Sequence, residues 1–98
     1  MLNYDFHDLL PLHMKSGMQL YLEEGIEPGS FLLAVLCNDL RGACSHADQV
    51  NRYRIVDIVT WLFNEAPSDS WGSEEQVTDW IREIKHKKQI ERETHESA

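Results

Sequence analysis

The side chains able to do chemistry in this 98-residue chain are five histidines, two cysteines and seventeen carboxylates, and their spacing builds few of the sites such residues make. Cys37 and Cys44 are seven residues apart. On one continuous helix that is two turns, about 10 Å along the axis, beyond the ~7 Å between Cα atoms that a disulfide tolerates. The two thiols therefore read as free, small apolar residues. A metal site would need His7, His13 or His46 brought to them by the fold, because neither a CxxC nor an HExxH spacing occurs. His86 and His95 stand apart and read as surface residues. No nucleophile elbow surrounds any serine. Pro28-Gly29-Ser30 opens a helix and so offers backbone N–H groups to an anion, but it lacks the lysine and longer glycine pattern of a phosphate loop. Asp39, Asp48 and Asp57 recur every nine residues, which is no helical repeat. The expectation is a protein that is not an enzyme and carries no cofactor or metal.

Polar residues set inside apolar stretches say more. Asn38-Asp39 falls between Leu36 and Leu40, and Asn64-Glu65 follows Leu62-Phe63. Asn and Asp are poor mid-helix formers. They either cap a neighbouring helix or hold a loop backbone, or else form a polar patch that reads a ligand or partner. Trp71 sits in the polar stretch from Ser68 to Ser73. It either folds back as a staple onto the following helix or stays exposed as an interface anchor.

Helices must position these residues, and four are predicted. The first, Leu12 to Glu24, follows Pro11, whose missing N–H suits a helix start. It carries Met14, Met18, Leu20, Tyr21 and Leu22, and Gly25 is placed to end it as a left-handed cap. Pro28 breaks the chain, and Ser30 reads as the cap of a second helix over 31–46. Its Leu32, Leu33, Leu36, Leu40, Ala43 and Ala47 form the clearest amphipathic stripe. Asp48 caps a third helix reaching Glu65. Between Ile55 and Phe63 that helix is apolar nearly all round, which predicts the central and most buried element. Its β-branched residues leave a strand over 54–60 as the alternative. Ala66 to Ser70 is a stop-and-turn stretch. Ser73 and Gln76 match a capping box for a fourth helix, packed through Val77, Trp80, Ile81 and Ile84. Beyond Ile84 charge replaces the apolar pattern, so residues 85–98 read as a partly frayed tail on a helical domain of residues 1–84. The expected fold class is all-α, a single compact bundle of about four helices.

Composition bounds the function. The chain is 42% hydrophobic and 27% charged, as folded globular domains are. A net charge of −8 makes a poor case for direct nucleic-acid binding, which rests on neutralising phosphates. No apolar run is long enough to span a bilayer, and residues 1–20 lack the pattern of a secretory signal, so a cytoplasmic location is expected. Up to Ile81 there are thirteen acidic and four basic residues, and from Arg82 onward four acidic and five basic. Glu23, Glu24 and Glu27 gather at the first break, and Asp69, Glu74, Glu75 and Asp79 around the last. Acids at helix junctions either stabilise helix starts and solubility or, together with Trp71, form a face that docks on a basic partner surface. The alternative site is Ser30, Asn38, Arg41, Arg52 and Arg54, which would hold a nucleotide or other small molecule at a helix start or subunit interface. A domain this small gains from pairing, and a homodimer through the second or third helix is expected.

The stretch from Pro28 to Leu40, with Asn64-Glu65-Ala66-Pro67, Trp71-Gly72-Ser73 and Leu10-Pro11-Leu12-His13, resembles small accessory proteins of bacteriophages and prophages over about residues 9–81. The likeness brings no activity and no site residues with it. It implies a protein made in the host bacterial cytoplasm that binds and regulates or inhibits a host protein, by analogy an anti-defence, anti-CRISPR-like role.

Overall fold

A computed structural model describes residues 4, 5 and 9–96, with side chains as far as Arg92. Its order is α1 (Leu12–Glu24), α2 (Ser30–Leu36), α3 (Leu40–His46), α4 (Gln49–Glu65), a 3-10 turn (Ser68–Ser70) and α5 (Glu74–Glu96). The all-α class is observed, with five α-helices and no strand among the described residues. Three local signals act as their chemistry dictates. Gly25 ends α1 at φ 67°, the left-handed region that glycine enters without a Cβ penalty. Asp48 accepts from the Asn51 N–H at 2.7 Å and starts α4. Ser73 Oγ accepts from the Gln76 N–H at 3.1 Å and starts α5.

The predicted second helix is two helices. Asn38 adopts φ 60°, its N–H donates to the Val35 carbonyl at 3.0 Å, and the Asp39 N–H donates to Ala34 at 2.8 Å. This pair of bonds is a Schellman ending with asparagine in the left-handed position. Asp39 Oδ1 then accepts from the Gly42 N–H at 3.0 Å and restarts the chain as α3. Asn38-Asp39 is thus a stop and a start in consecutive residues. The start of α2 also differs from expectation: Gly29 holds the cap position without a side-chain hydrogen bond, and Ser30 is the first helical residue.

The core is centred on α2, five of whose seven residues are buried. Met14, Met18, Tyr21 and Leu22 of α1 close on it, with Ile58, Trp61 and Leu62 of α4 and Val77 of α5. The expectation that the 48–65 helix is the most buried is corrected. One of its two apolar faces enters the core, while Val56 and Phe63 on the other are 76% and 81% exposed. Asn64-Glu65 closes the helix, and Glu65 Oε1 accepts from the Asp5 N–H at 3.0 Å. The Trp61 indole donates to the Asp5 carbonyl at 2.8 Å. Residues 85–96 continue α5 as helix, unlike the frayed tail expected. They contain no Gly or Pro and are rich in Lys, Gln, Glu and Arg, all good helix formers. Lys88 forms an ion pair with Glu24, which ties this segment to the end of α1. Gly25 also lets α5 come close: a Cβ there would lie 3.1 Å from Ile84 Cβ.

Two hydrogen bonds set where α5 begins. The buried Tyr21 hydroxyl donates to the Ser70 carbonyl at 2.5 Å, and the Gly72 N–H donates to the Leu36 carbonyl at 2.7 Å. Tyr21→Phe removes the donor to a buried carbonyl and is expected to cost about 1–2 kcal/mol in urea unfolding. Burial holds the Tyr21 hydroxyl well above the usual tyrosine range. The folded state therefore resists ionisation more than the unfolded chain, so this stability is complete below pH about 10 and falls above it. Native protein should lose stability above that pH, and Tyr21→Phe should lack this part of the decline.

Candidate functional site

The Leu36–Gly72 bond brings the C-terminal end of α2 against the first turns of α5 and leaves an open cleft of about 530 Å³ between them. Its floor is apolar: Ala34 and Val77 are buried, and Leu33, Cys37 and Ile81 half-buried. Its rim is polar and exposed, with Glu27 from the loop after α1, Asp39 between α2 and α3, His46 at the end of α3, and Ser30, Glu74 and Thr78. Three carboxylates from three separate parts of the chain thus overlook a greasy floor.

Only part of each predicted acidic junction reaches this cleft. Glu27 and Glu74 do. Glu23 instead faces Tyr4, whose pKa is raised first by burial and then by the negative charge of Glu23. Glu24 is paired with Lys88. Asp69 and Glu75 are exposed but do not line it. Trp71 is half-buried against the core. Asp39 and Cys37 belong to the site, although the sequence offered Asn38-Asp39 only as a cap or polar patch and Cys37 only as a thiol, neither as part of the acidic docking face. The signal that could have located Asp39 was Asn38-Asp39 read as a helix end and helix start, which puts a carboxylate at a surface corner.

The alternative ligand set does not converge. Ser30 lines the cleft, whereas Asn38 lines a shallow groove with Leu40, Ala43, Ile55 and Val59, which shares only Asp39 with the cleft. Arg41 and Arg52 are exposed outside both cavities. Arg54 donates to Asp57 at 2.8 Å and to the Leu9 carbonyl at 3.4 Å. Of the histidines considered with the cysteines, His13 bonds Asn51 Oδ1 at 2.7 Å, and His7 lies outside the described residues. Among the described residues, no three His, Cys, Asp or Glu side chains are grouped to hold a metal ion. Cys37 and Cys44 are free thiols on separate elements.

The electrostatics of the cleft are read out by Cys37. Burial raises its pKa first, and the negative charges of Glu74, Asp39 and Glu27 raise it further. That is the reverse of what a nucleophilic cysteine needs, since the thiolate is the reactive form. The same field repels phosphates and attracts cations. At pH 7.5, iodoacetamide should alkylate exposed Cys44 at least about tenfold faster than Cys37, and Glu74→Gln should speed the reaction at Cys37, both read by peptide mass spectrometry. No protein-family model, no curated protein and no solved structure matches this chain, so the functional reading rests on this geometry.

Proposed function

We propose that this protein is a non-enzymatic acidic binding module whose α2–α5 cleft takes a basic segment of a partner protein. The observation that carries the reading is the convergence of Glu27, Asp39 and Glu74 around a floor of Leu33, Ala34, Val77 and Ile81. A lysine or arginine side chain matches both parts, an aliphatic stem for the floor and a cationic head for the rim. Steering by the acidic body would speed encounter with such a segment. The phage likeness supplies the setting we propose, a host protein that this module regulates or inhibits, with an anti-defence role as its sharpest form. The nucleotide-sponge reading is weaker, because the carboxylate rim opposes an anionic ligand and Arg41, Arg52 and Arg54 lie elsewhere.

Immobilised protein should retain a stoichiometric partner from bacterial lysate and release it as salt is raised. The exposed pair Glu27→Lys and Glu74→Lys should abolish retention while leaving the circular dichroism spectrum unchanged. Retention undiminished by that reversal would overturn the cleft as the docking site. A rise in melting temperature with a nucleotide would favour the sponge reading instead.

A further inference from the structure

The outer face of α4 has a composition unlike the rest of this acidic surface. Arg52, Val56, Val59 and Phe63 follow one another at spacings of four, three and four residues, the repeat of a helix-to-helix seam. Tyr53 flanks this stripe, and Leu40 of α3 extends it across the shallow groove that Val59 and Ile55 share with Ala43. Exposure is 80% for Tyr53, 76% for Val56, 37% for Val59, 81% for Phe63 and 67% for Leu40. Inner-face residues Ile58, Trp61 and Leu62 already fill the core, and among the described residues the outer ones are left uncovered.

We infer that this face is covered by a second copy of the same chain, in a two-fold dimer with antiparallel α4 helices. Area supports it. Taking ~200 Å² per aromatic side chain and ~100 Å² for each Val or Leu, the exposed parts of these five residues come to about 500 Å². That is the apolar share of a standard interface of ~800 Å² per partner.

Charge supports it too, and selects the copy as occupant. Two molecules of net charge −8 repel one another on most approaches. Between Gln49 and Asn64 the only acid is Asp57, which is bound to Arg54 at 2.8 Å, away from the stripe. The stripe itself carries Arg52 as its charge. In an antiparallel pairing, Val56 meets the partner's Val59 and Arg52 lies over the partner's Phe63, an attractive cation–aromatic contact made twice by symmetry. The residues lining the α2–α5 cleft all lie outside α4, and of them only Asp39 also borders the shallow groove that the stripe extends across.

Sedimentation equilibrium over roughly 1 to 100 µM should give native protein at twice the 11.4 kDa chain mass. Val56→Glu with Phe63→Glu should give 11.4 kDa with helix content unchanged, and Arg52→Glu alone should weaken the dimer about tenfold or more. Val56→Ser with Phe63→Ser gives the same reading without added charge should the glutamates perturb folding. Native protein that stays at 11.4 kDa throughout, or variants that stay dimeric, would overturn the inference. The Glu27→Lys and Glu74→Lys pair should remain dimeric, so failure of the cleft and failure of this interface are told apart.

Discussion

The hydrogen bond from Tyr21 to the Ser70 carbonyl is the constraint on which the arrangement turns. The Tyr21 ring is fully buried at the end of α1, and its hydroxyl is the polar atom that anchors the turn after α4. Ser70 is itself fully buried, so the turn cannot satisfy that carbonyl with water. Two residues on, Gly72 at φ 122° donates to Leu36 and aims the chain into α5. A Cβ at Gly72 would come within 2.6 Å of the Gln76 side chain that helps form the cap. The start of α5, the end of α2 and therefore the mouth of the cleft are all fixed from this one buried phenol.

The acidity of the chain divides by what each carboxylate is bound to. Asp39 and Asp48 accept backbone N–H groups as helix caps. Glu24, Asp57 and Asp79 are each paired with a cation, and Glu65 holds the Asp5 backbone. Part of the negative charge is thus structural, and Asp39 and Asp48 sit at helix starts, where the dipole favours an anion. Glu27 and Glu74 differ: among the described residues neither has a hydrogen bond or ion pair, and both face the same cleft. A carboxylate with no internal partner above an apolar floor is poised for an external one, and its geometry suits a cation on a hydrocarbon stem.

What the sequence disclosed was whatever is decided locally. Gly25, Asp48 and the Ser73–Gln76 pair act through bonds reaching three or four residues, and those helix ends were legible. The 31–46 stripe misled because Leu36, Leu40 and Ala43 keep a helical spacing across the Schellman turn at Asn38. Hydrophobic period does not register a left-handed residue. Periodicity showed that α4 is apolar all round but not that only one of its faces meets the core, since that depends on where α1 and α2 lie. The charged end of α5 keeps its helix because good helix formers continue a helix already packed through Val77 and Ile84, with Lys88 tied to Glu24. The cleft was the least legible feature. Glu27, Asp39 and Glu74 are distant in sequence and meet only through the Leu36–Gly72 bond, so clusters counted along the chain held two of the three acids and missed the third.

The two surfaces are physically complementary in what they exclude. The same charge that keeps molecules of this protein apart elsewhere leaves the α4 stripe as a face poor in acids, with Asp39 at its edge beside Leu40. The cleft has the opposite character, rejecting another copy and favouring a cation. A dimer closed on α4 would hold two identical acidic clefts in fixed relation. A partner with two basic segments of matching spacing would then be held by effective concentration as well as by single-site contact, and avidity can exceed single-site affinity by ~10²–10⁴. For a cleft of about 530 Å³ with an open mouth, which can bury little more than a side chain or two, that multiplication is the physical route from a weak contact to a tight one.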